Sequence, residues 1–488
     1  MANTDNLDSE PFTLPPAAEF LASCPKFRLL VLGNIESTKV EIFSKVLGIN
    51  FDKSDIAKVF SDTHSVSQEL DLGNENPRLS LHTSANFGTG DKEAYKAVAD
   101  FLEARQHSSN VADRIHCIWY CVSCDDDRTI HGLEAEFFRQ LPTLAPATPA
   151  ILVFTKYEEL IANVRQEWYR DEQRRGISKV AASHILRDLT NHEFKKRIGR
   201  RWDAILGDAK IPKLCVATDD EWNPHAGMER LAVGTLSELK GKGERLSYAA
   251  AQRGSPAIST QVCADMAAEY FAVNTGHARK RSGVEVGKIL HDFFDRSLQI
   301  FNFKDPEKVL LEPRLLGRIL ETMFDAETLG FVKASLDSDG EGHGQGQALI
   351  DGLSPHDRAC MLTQALAGVV MFFHKLAESQ WLHRDPVPRL TGHIVDRELS
   401  GIRSGKERKA MLEAIEDSRI FTQCHLATEV SDLILRAVGQ DEKSDMSNRA
   451  FMIEDDSELA EISLSFVNDH PGPDAVVLPN GMTILALN

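Results

Sequence analysis

The stretch FRLLVLGNIESTKVEIFSKVLG, residues 27–48, decides the fold class of this chain. It opens with a run that is apolar apart from Arg28, which is typical of a buried strand. Beyond Gly33 the apolar residues recur at helical spacing, and Gly48 stands where helices commonly end. The stretch therefore predicts a buried strand, a turn and an amphipathic helix, which together begin an α/β unit.

The turn of this unit has the frame of a phosphate-binding loop. In the motif Gly-x-x-x-x-Gly-Lys-Ser/Thr, backbone N–H groups and the lysine hold phosphate oxygens. Gly33 and Lys39 are in register with that motif, whereas Thr38 replaces the second glycine and Val40 replaces the magnesium-binding hydroxyl. A β-branched residue is a poor choice where unusual dihedral angles are needed. The sequence thus predicts a phosphate loop in which some working residues have been replaced.

Strand-like and helical patterns alternate as far as about residue 239, which predicts a mostly parallel α/β sheet. The link 73–77 (GNENP) is rich in turn residues, so the strands on either side of it are expected to form one antiparallel hairpin. The candidate strands are Arg28–Leu32, Ser67–Leu72, Arg78–Thr83, Ile115–Val122, Ala150–Phe154 and Lys213–Ala217.

The alternation stops after Gly254, and the periodic stretches that follow are nearly all helical. A chain of 488 residues is also long for one hydrophobic core. We therefore expect a disordered segment at 1–25, a P-loop α/β domain at 26–245 and an all-α domain at 255–440. Residues 441–488 are expected to form an acidic tail, with a β-hairpin around Asn480-Gly481.

Composition narrows the choice of partners and location. The formal net charge of −18 argues against a general nucleic-acid binder, which needs clustered basic residues. The N-terminus has no signal-peptide pattern, and the most apolar run, Ala365–Phe373, is about half the length of a membrane span. A cytoplasmic protein with no membrane span is expected. Cys121 and Cys124 form a lone CxxC, without further ligands at zinc spacing, and chance spacing is the simpler interpretation.

Three further motifs at predicted strand ends follow the predicted phosphate loop, and their order along the chain is informative. Predicted strands end in LHTSANF at 81–87, in VFTKYE at 153–158 and in CVAT at 215–218. This order resembles that of the P-loop GTPases, with their Asp-x-x-Gly, Asn/Thr-Lys-x-Asp and Ser-Ala/Thr-type motifs. More narrowly, the chain is similar to a group of fungal GTPase-like proteins with HDSxGF, VFTKYD and a later WNFxDP segment, for which residues 302–306 read NFKDP. The resemblance covers roughly residues 27–330.

The resemblance implies a site for GTP or GDP, with Lys156 along the guanine face and Glu158 as acceptor of the guanine N–H groups. Glu158 is one methylene longer than the family's aspartate. Thr63 is a candidate for the threonine of the first switch, or else an ordinary loop residue. The residues assigned to the nucleotide are Gly33, Asn34, Ser37, Thr38, Lys39, Val40, Asn86, Thr155, Lys156, Glu158 and Thr218.

The departures from the family fall on the metal and on catalysis. Val40 cannot coordinate a hard cation, and Thr83 stands where the family's strand-end aspartate supports Mg²⁺. Asn86 replaces the glycine that meets the γ-phosphate, and Phe87 follows it in place of a water-positioning glutamine. Tight Mg²⁺ binding is therefore not expected, no catalytic residue is assigned, and hydrolysis is expected to be weak or lost.

Two classes of function remain open, and each motif residue also has a structural interpretation. Lys39 could be a lysine of a helix's first turn, and Lys156 could simply end a strand. One hypothesis is a guanine-nucleotide-binding protein with degenerate motifs. The other is a nucleotide-independent pseudo-GTPase scaffold for protein–protein contact. A kinase-like or ATPase-like enzyme that uses Lys39 is a distant third, since no catalytic-base motif accompanies it.

Overall fold

A computed structural model describes residues 21–33, 42–43, 45–49, 65–70, 76–84, 87, 90–125, 132–170, 179–207, 209–217, 224–276, 283–325, 328–330, 332, 355–381, 390–417, 427–437, 475–477 and 483–485. Within these ranges the protein is α/β: five parallel strands form a sheet, and helices cover both of its faces. The strands are β1 (Phe27–Leu32), β2 (Leu79–Thr83), β3 (Cys117–Ser123), β4 (Ala150–Thr155) and β5 (Lys213–Cys215).

The strands lie in the order β2-β1-β3-β4-β5, and every neighbouring pair is parallel. Leu29 of β1 is in register with Leu81 of β2 and with Cys117 of β3. β3 and β4 are buried along their whole length, as expected for parallel strands between two layers of helices. Because β2 and β3 lie on opposite sides of β1, the winding reverses between β1 and β3. In open α/β sheets ligands bind beyond the carboxyl ends of the strands at such a reversal.

The predicted antiparallel hairpin is wrong for the residues that the structure describes. Residues 65–70 form a turn and irregular backbone, and β2 pairs in parallel with β1. A hydrogen bond from Gln68 N to Ser65 O, 2.8 Å, closes a turn inside the expected strand. The segment is held to β2 by a backbone bond from Leu70 N to Leu81 O and by a bond between the His82 ring and the Val66 carbonyl. These two bonds take the place of the regular hydrogen-bond ladder that a hairpin would have. Residues 71–75 lie outside the described ranges.

Each face of the sheet packs against its own set of helices. The helices of this part are α1 (Lys92–Gln106), α2 (Gly132–Leu144), α3 (Tyr157–Tyr169), α4 (Lys179–Phe194), α5 (Arg200–Leu206), α6 (Pro224–Glu238) and α7 (Lys242–Ala251). On one face, Leu30, Tyr120 and Phe154 pack against α1–α5. On the other face, Leu29 and Trp119 pack with α6, α7 and the helical residues 42–43 and 46–47.

A helical half follows and continues the core of the second face. Its helices are α8 (Pro256–Gly276), α9 (Gly283–Phe301), α10 (Leu315–Met323), α11 (Pro355–Trp381), α12 (Gly392–Ser404), α13 (Lys406–Asp417) and α14 (Ala427–Ala437). α8 packs against α11 and α14, and buried apolar residues of these helices belong to the same cluster as Leu29 and Trp119. The ring of Tyr248 in α7 lies 4.9 Å from that of Phe27 in β1, so α7 joins the sheet to the helices.

The NFKDP segment that follows α9 has a structural role. Phe303 stacks on Phe301 with ring centroids 5.7 Å apart, and both rings approach Phe373 of α11. Asn302 has φ +44° and donates from Nδ2 to the Ala250 carbonyl, 2.8 Å away, at the end of α7. The Asp305 carboxylate accepts hydrogen bonds from the next turn of backbone. The segment thus ties α7, α9 and α11 together.

Two further elements bear on the predictions. One helix among the described residues, Ala359–Trp381 within α11, is long and apolar enough to cross a membrane by length and composition, and most of it is buried inside the protein. Near the C-terminus, β6 (Ala475–Val477) and β7 (Thr483–Leu485) pair antiparallel, where the sequence around Asn480-Gly481 predicts a hairpin.

Candidate functional site

Gly33 directly follows β1 at the carboxyl edge of the sheet, where the winding reverses. Its φ is +108°, a conformation that side chains rarely adopt. A Cβ atom at this position would lie 2.0 Å from the carbonyl oxygen of Cys121 in β3. Both the dihedral angle and the close approach therefore require glycine here. Buried Ile42, Phe43 and Val46 show that a helix follows against the sheet, as the strand–turn–helix prediction expects.

Four of the predicted site residues lie within the described ranges. Gly33, Thr155, Lys156 and Glu158 belong to the part of the chain that the structure describes. The remaining candidates lie outside the described residues: Asn34, Ser37, Thr38, Lys39, Val40, Thr63, Asn86 and Thr218.

Thr83, at the end of β2, is fully buried. Its hydroxyl donates a hydrogen bond to the Val31 carbonyl of β1, at 2.8 Å. The side chain is thus turned towards the neighbouring strand and has no exposed surface with which to reach a metal ion.

The base-reading candidates begin where β4 ends. The Thr155 hydroxyl donates to the Val122 carbonyl at 3.3 Å and is fully buried. Lys156 follows in the left-handed conformation, with φ +55°, and is the residue from which α3 starts. Glu158 lies in the first turn of α3 and is partly exposed. The sheet thus brings Gly33 and this group to the same edge, beyond β1 and β4.

The Lys156 ammonium is held by two carboxylates. Its Nζ lies 2.9 Å from Asp125 Oδ2 and 3.7 Å from Glu159 Oε1. The hydrogen bond to Asp125 raises the pKa of Lys156. Burial would raise the pKa of Asp125, but the hydrogen bonds from Ser123 and Lys156 outweigh it and lower that pKa. Both groups are therefore charged at neutral pH. The side chains of Lys156 and Asp125 are 30% and 43% exposed, so the pair contributes less than about 1 kcal/mol to stability.

The CxxC pair does not form a site. Cys121 belongs to the core on one face of the sheet and Cys124 to the core on the other face. Burial raises the pKa of the Cys124 thiol well above its ordinary value, which disfavours the reactive thiolate. Across the described ranges, no group of three or more His, Cys, Asp or Glu residues could hold a metal ion.

Comparison with known proteins adds no relative. No family model matches this chain, and no curated protein matches it.

Asp125 is the site residue that sequence reasoning missed. In sequence the run Asp125-Asp126-Asp127 is simply polar and predicts only a loop. In the sheet, Ser123 of β3 is in register with Thr155 of β4, which places Asp125 beside Lys156. The sequence did contain a signal for this contact. One predicted strand is followed by carboxylates and the next by a lysine, and these side chains come close together if the two strands are parallel neighbours.

Proposed function

We propose that the carboxyl edge of this sheet binds a guanine nucleotide and that its hydrolysis is weak or lost. The observation that carries the proposal is the placement of Gly33 and Lys156 beyond two strands that flank β3. Their strand ends are two strand spacings apart, about 10 Å, which suits a ligand with phosphate at one end and base at the other. The resemblance to fungal GTPase-like proteins assigns the phosphate to the first group and guanine to the second.

The proposed roles follow from the residue types. Backbone N–H groups after Gly33 and the Lys39 ammonium would neutralise the phosphates. The stem of Lys156 would cover one face of the guanine ring, with its ammonium fixed by Asp125 at 2.9 Å. Glu158, in the first turn of α3, would accept hydrogen bonds from the base. A carboxylate acceptor distinguishes guanine from adenine, which does not present the same pair of N–H groups.

Binding without Mg²⁺ is part of the proposal. Val40 offers no oxygen, and the Thr83 hydroxyl is buried and bonded to the Val31 carbonyl. Phosphoryl transfer depends on a metal ion to neutralise the developing charge, so the absence of that ion would slow hydrolysis by orders of magnitude. Nucleotide affinity should therefore be nearly the same in excess EDTA and in millimolar Mg²⁺. A strong dependence on Mg²⁺ would contradict the assignments of Val40 and Thr83.

A titration with fluorescently labelled GDP and GTP tests the proposal. Wild-type protein is compared with Lys39→Ala, Lys156→Ala and a control, Lys96→Ala, which changes an exposed lysine of α1. Saturable binding that is lost in the first two variants and kept in the control would support the proposal. An unlabelled competition series should favour GDP over ADP. A flat titration, together with no thermal shift at millimolar nucleotide, would reject it.

The alternative, a nucleotide-independent scaffold, has its own supporting observation. Lys156 already has two carboxylate neighbours, Asp125 and Glu159, so the structure accounts for this lysine without a ligand. Asp125→Asn separates the alternatives. In a scaffold the change should be nearly silent, because the pair is partly exposed. In a nucleotide-binding protein it should weaken GDP binding several-fold, because the lysine loses the partner that orients it.

A further inference from the structure

A cleft of about 650 Å³ opens at the amino edge of the sheet, the end opposite to the proposed nucleotide site. Lys26 and Arg28, at the start of β1, and Arg78, just before β2, line it together with Asn110, Asp113 and Asn302. Its volume lies within the usual range of small-molecule sites. Three cationic side chains in one cleft are unexpected in a chain whose formal net charge is −18.

Two of these cations are neutralised in part by one carboxylate. Glu69 lies 3.1 Å from Lys26 Nζ and 3.4 Å from Arg28 Nη1. Arg28 is fixed further, since its Nε donates to the Ala112 carbonyl and its Nη1 to Ser80 Oγ, both at 2.8 Å. With Asp113 on the wall, the described side chains of the cleft and Glu69 sum to one net positive charge. The fixed Arg28 makes this wall a rigid surface.

Arg78 supplies the unbalanced charge. No carboxylate among the described residues pairs with its guanidinium, which donates one hydrogen bond, at 3.4 Å, to the Pro25 carbonyl. Its backbone is anchored, because Phe27 N donates to the Arg78 carbonyl at 2.8 Å. Burial lowers the pKa of Arg78, which means that the charged form has lost water without gaining an anion from the described residues. An incoming anion would compensate that loss.

We propose that this cleft binds a small organic anion, a phosphate monoester or a carboxylate, with the guanidinium of Arg78 as its main partner. A guanidinium binds either group through two parallel N–H bonds. Lys26 supplies a second, more exposed charge. Pro25, Pro77 and Ala112 provide apolar wall for the organic part of the ligand. Asn302 lines the cleft from the segment after α9, so the ligand would contact both the sheet edge and the helical half.

This site is independent of the nucleotide proposal. Lys26 precedes β1 and Gly33 follows it, so the two sites are separated by the length of a strand, about 20 Å. The two proposed sites share no residue, so the presence of one does not depend on the presence of the other. Variants at the two edges therefore tell apart a phosphate that binds at the phosphate loop and one that binds in the cleft.

Calorimetric titration of the full chain with phenyl phosphate, benzoate and inorganic phosphate tests the proposal. We expect saturable binding of phenyl phosphate or benzoate, tighter than that of inorganic phosphate because the apolar wall contributes. Arg78→Gln should weaken binding by about tenfold or more. Lys39→Ala should leave it unchanged, as should Arg139→Gln, which changes an exposed arginine of α2.

Three results would overturn the proposal: no saturation by any probe up to about 10 mM, unchanged binding in Arg78→Gln, or loss of binding in Lys39→Ala. A second measurement on the wild-type protein covers the case in which the Arg78 variant does not fold. Phenyl phosphate should slow acetylation of Lys26 by an amine-reactive acetyl ester, measured by peptide mass spectrometry, and leave acetylation of the exposed Lys96 unchanged. Equal rates at Lys26 with and without the probe would also count against the site.

Discussion

Gly33 lies so close to Cys121 that a Cβ atom at position 33 would come within 2.0 Å of the Cys121 carbonyl oxygen. The obstacle is backbone of a buried central strand, which cannot move aside cheaply. Gly33 also has φ +108°, so a side chain would be strained in any case. The relationship between these two residues fixes how the chain leaves β1.

We therefore expect Gly33→Ala to lower the free energy of unfolding by about 3 kcal/mol or more, because strain and overlap combine. Urea denaturation followed by circular dichroism measures this change. Gly132→Ala is the matched control: it has no neighbouring atom within 4 Å of the added carbon. That control should stay within about 0.5 kcal/mol of wild type. Equal stability of the two variants would contradict the close approach.

Asn302 combines a left-handed conformation, φ +44°, with a hydrogen bond from Nδ2 to the Ala250 carbonyl. Asn302→Ala removes the hydrogen bond and strains the left-handed backbone, and should lower the free energy of unfolding by about 2 kcal/mol. Asn302→Gly removes the hydrogen bond but tolerates the conformation, and should lower it by about half as much. Lys308→Gly is the control for conformation alone, since Lys308 has φ +55°. It should be neutral or slightly stabilising. Chemical denaturation of the three variants, compared with wild type, separates the two contributions.

His82 should make stability depend on pH. Burial lowers its pKa to about 4, from 6.5, although the bond to the Val66 carbonyl opposes this shift. The unfolded chain then takes up a proton at higher pH than the folded chain does. The stabilising contribution is complete above pH 6.5 and is lost as the pH falls towards 4, with a total on the order of 3 kcal/mol.

Urea denaturation at a series of pH values from 7.5 down to 4.5 tests this dependence. His82→Asn keeps a side-chain amide that can donate to the Val66 carbonyl but does not titrate. Its stability should fall less steeply across this interval than that of wild type. His107→Asn, at an exposed position, serves as control and should retain the wild-type slope. Identical slopes for His82→Asn and wild type would exclude His82 as the source.

Gly254, at the start of the helical half, contacts the helical residues 45–47 that follow β1 along the chain. Its N–H donates to the Val46 carbonyl at 3.2 Å, and an added Cβ would lie 2.1 Å from the Lys45 carbonyl oxygen. Gly254→Ala should therefore lower the melting temperature by several degrees, as a cost of about 2 kcal/mol implies. Gly401→Ala, in α12 with open space around the added carbon, should be neutral or stabilising. Differential scanning calorimetry compares the two, and a wild-type melting temperature for Gly254→Ala would refute the contact.

Much of the sheet could be predicted because buried parallel strands are continuous apolar runs. The five strands of the parallel sheet overlap five of the six strands predicted for it, and β4 extends only one residue, Thr155, beyond its predicted end. The predicted hairpin is wrong because apolar residues within 65–70 suggested a strand. A turn at Ser65–Gln68 and side-chain contacts with neighbouring segments hold this backbone in an irregular conformation instead. Strand order was also beyond reach, since it depends on how each crossover packs.

The candidate site could be predicted only in part, because contacts between strands depend on the strand order. The positions of Gly33 and Lys156 directly after β1 and β4 could be predicted, because strand ends are readable from local sequence. The contact of Lys156 with Asp125 joins residues 31 positions apart and exists only because β3 and β4 are parallel neighbours in register. The basic cleft was missed as well. Lys26, Arg28 and Arg78 are spread over two strand starts, and no local pattern connects them.

The core that runs from β1 through α7 into α8 and α11 has a thermodynamic consequence. Because the two halves share this core, we expect residues of the sheet and of the helical half to lose their packing together, in one unfolding transition. Any molecule bound at either edge of the sheet then protects helices that it never touches, by mass action on the folded state of the whole chain. Ligand occupancy can thus be read from amide exchange or proteolysis deep within α11, far from either proposed binding surface.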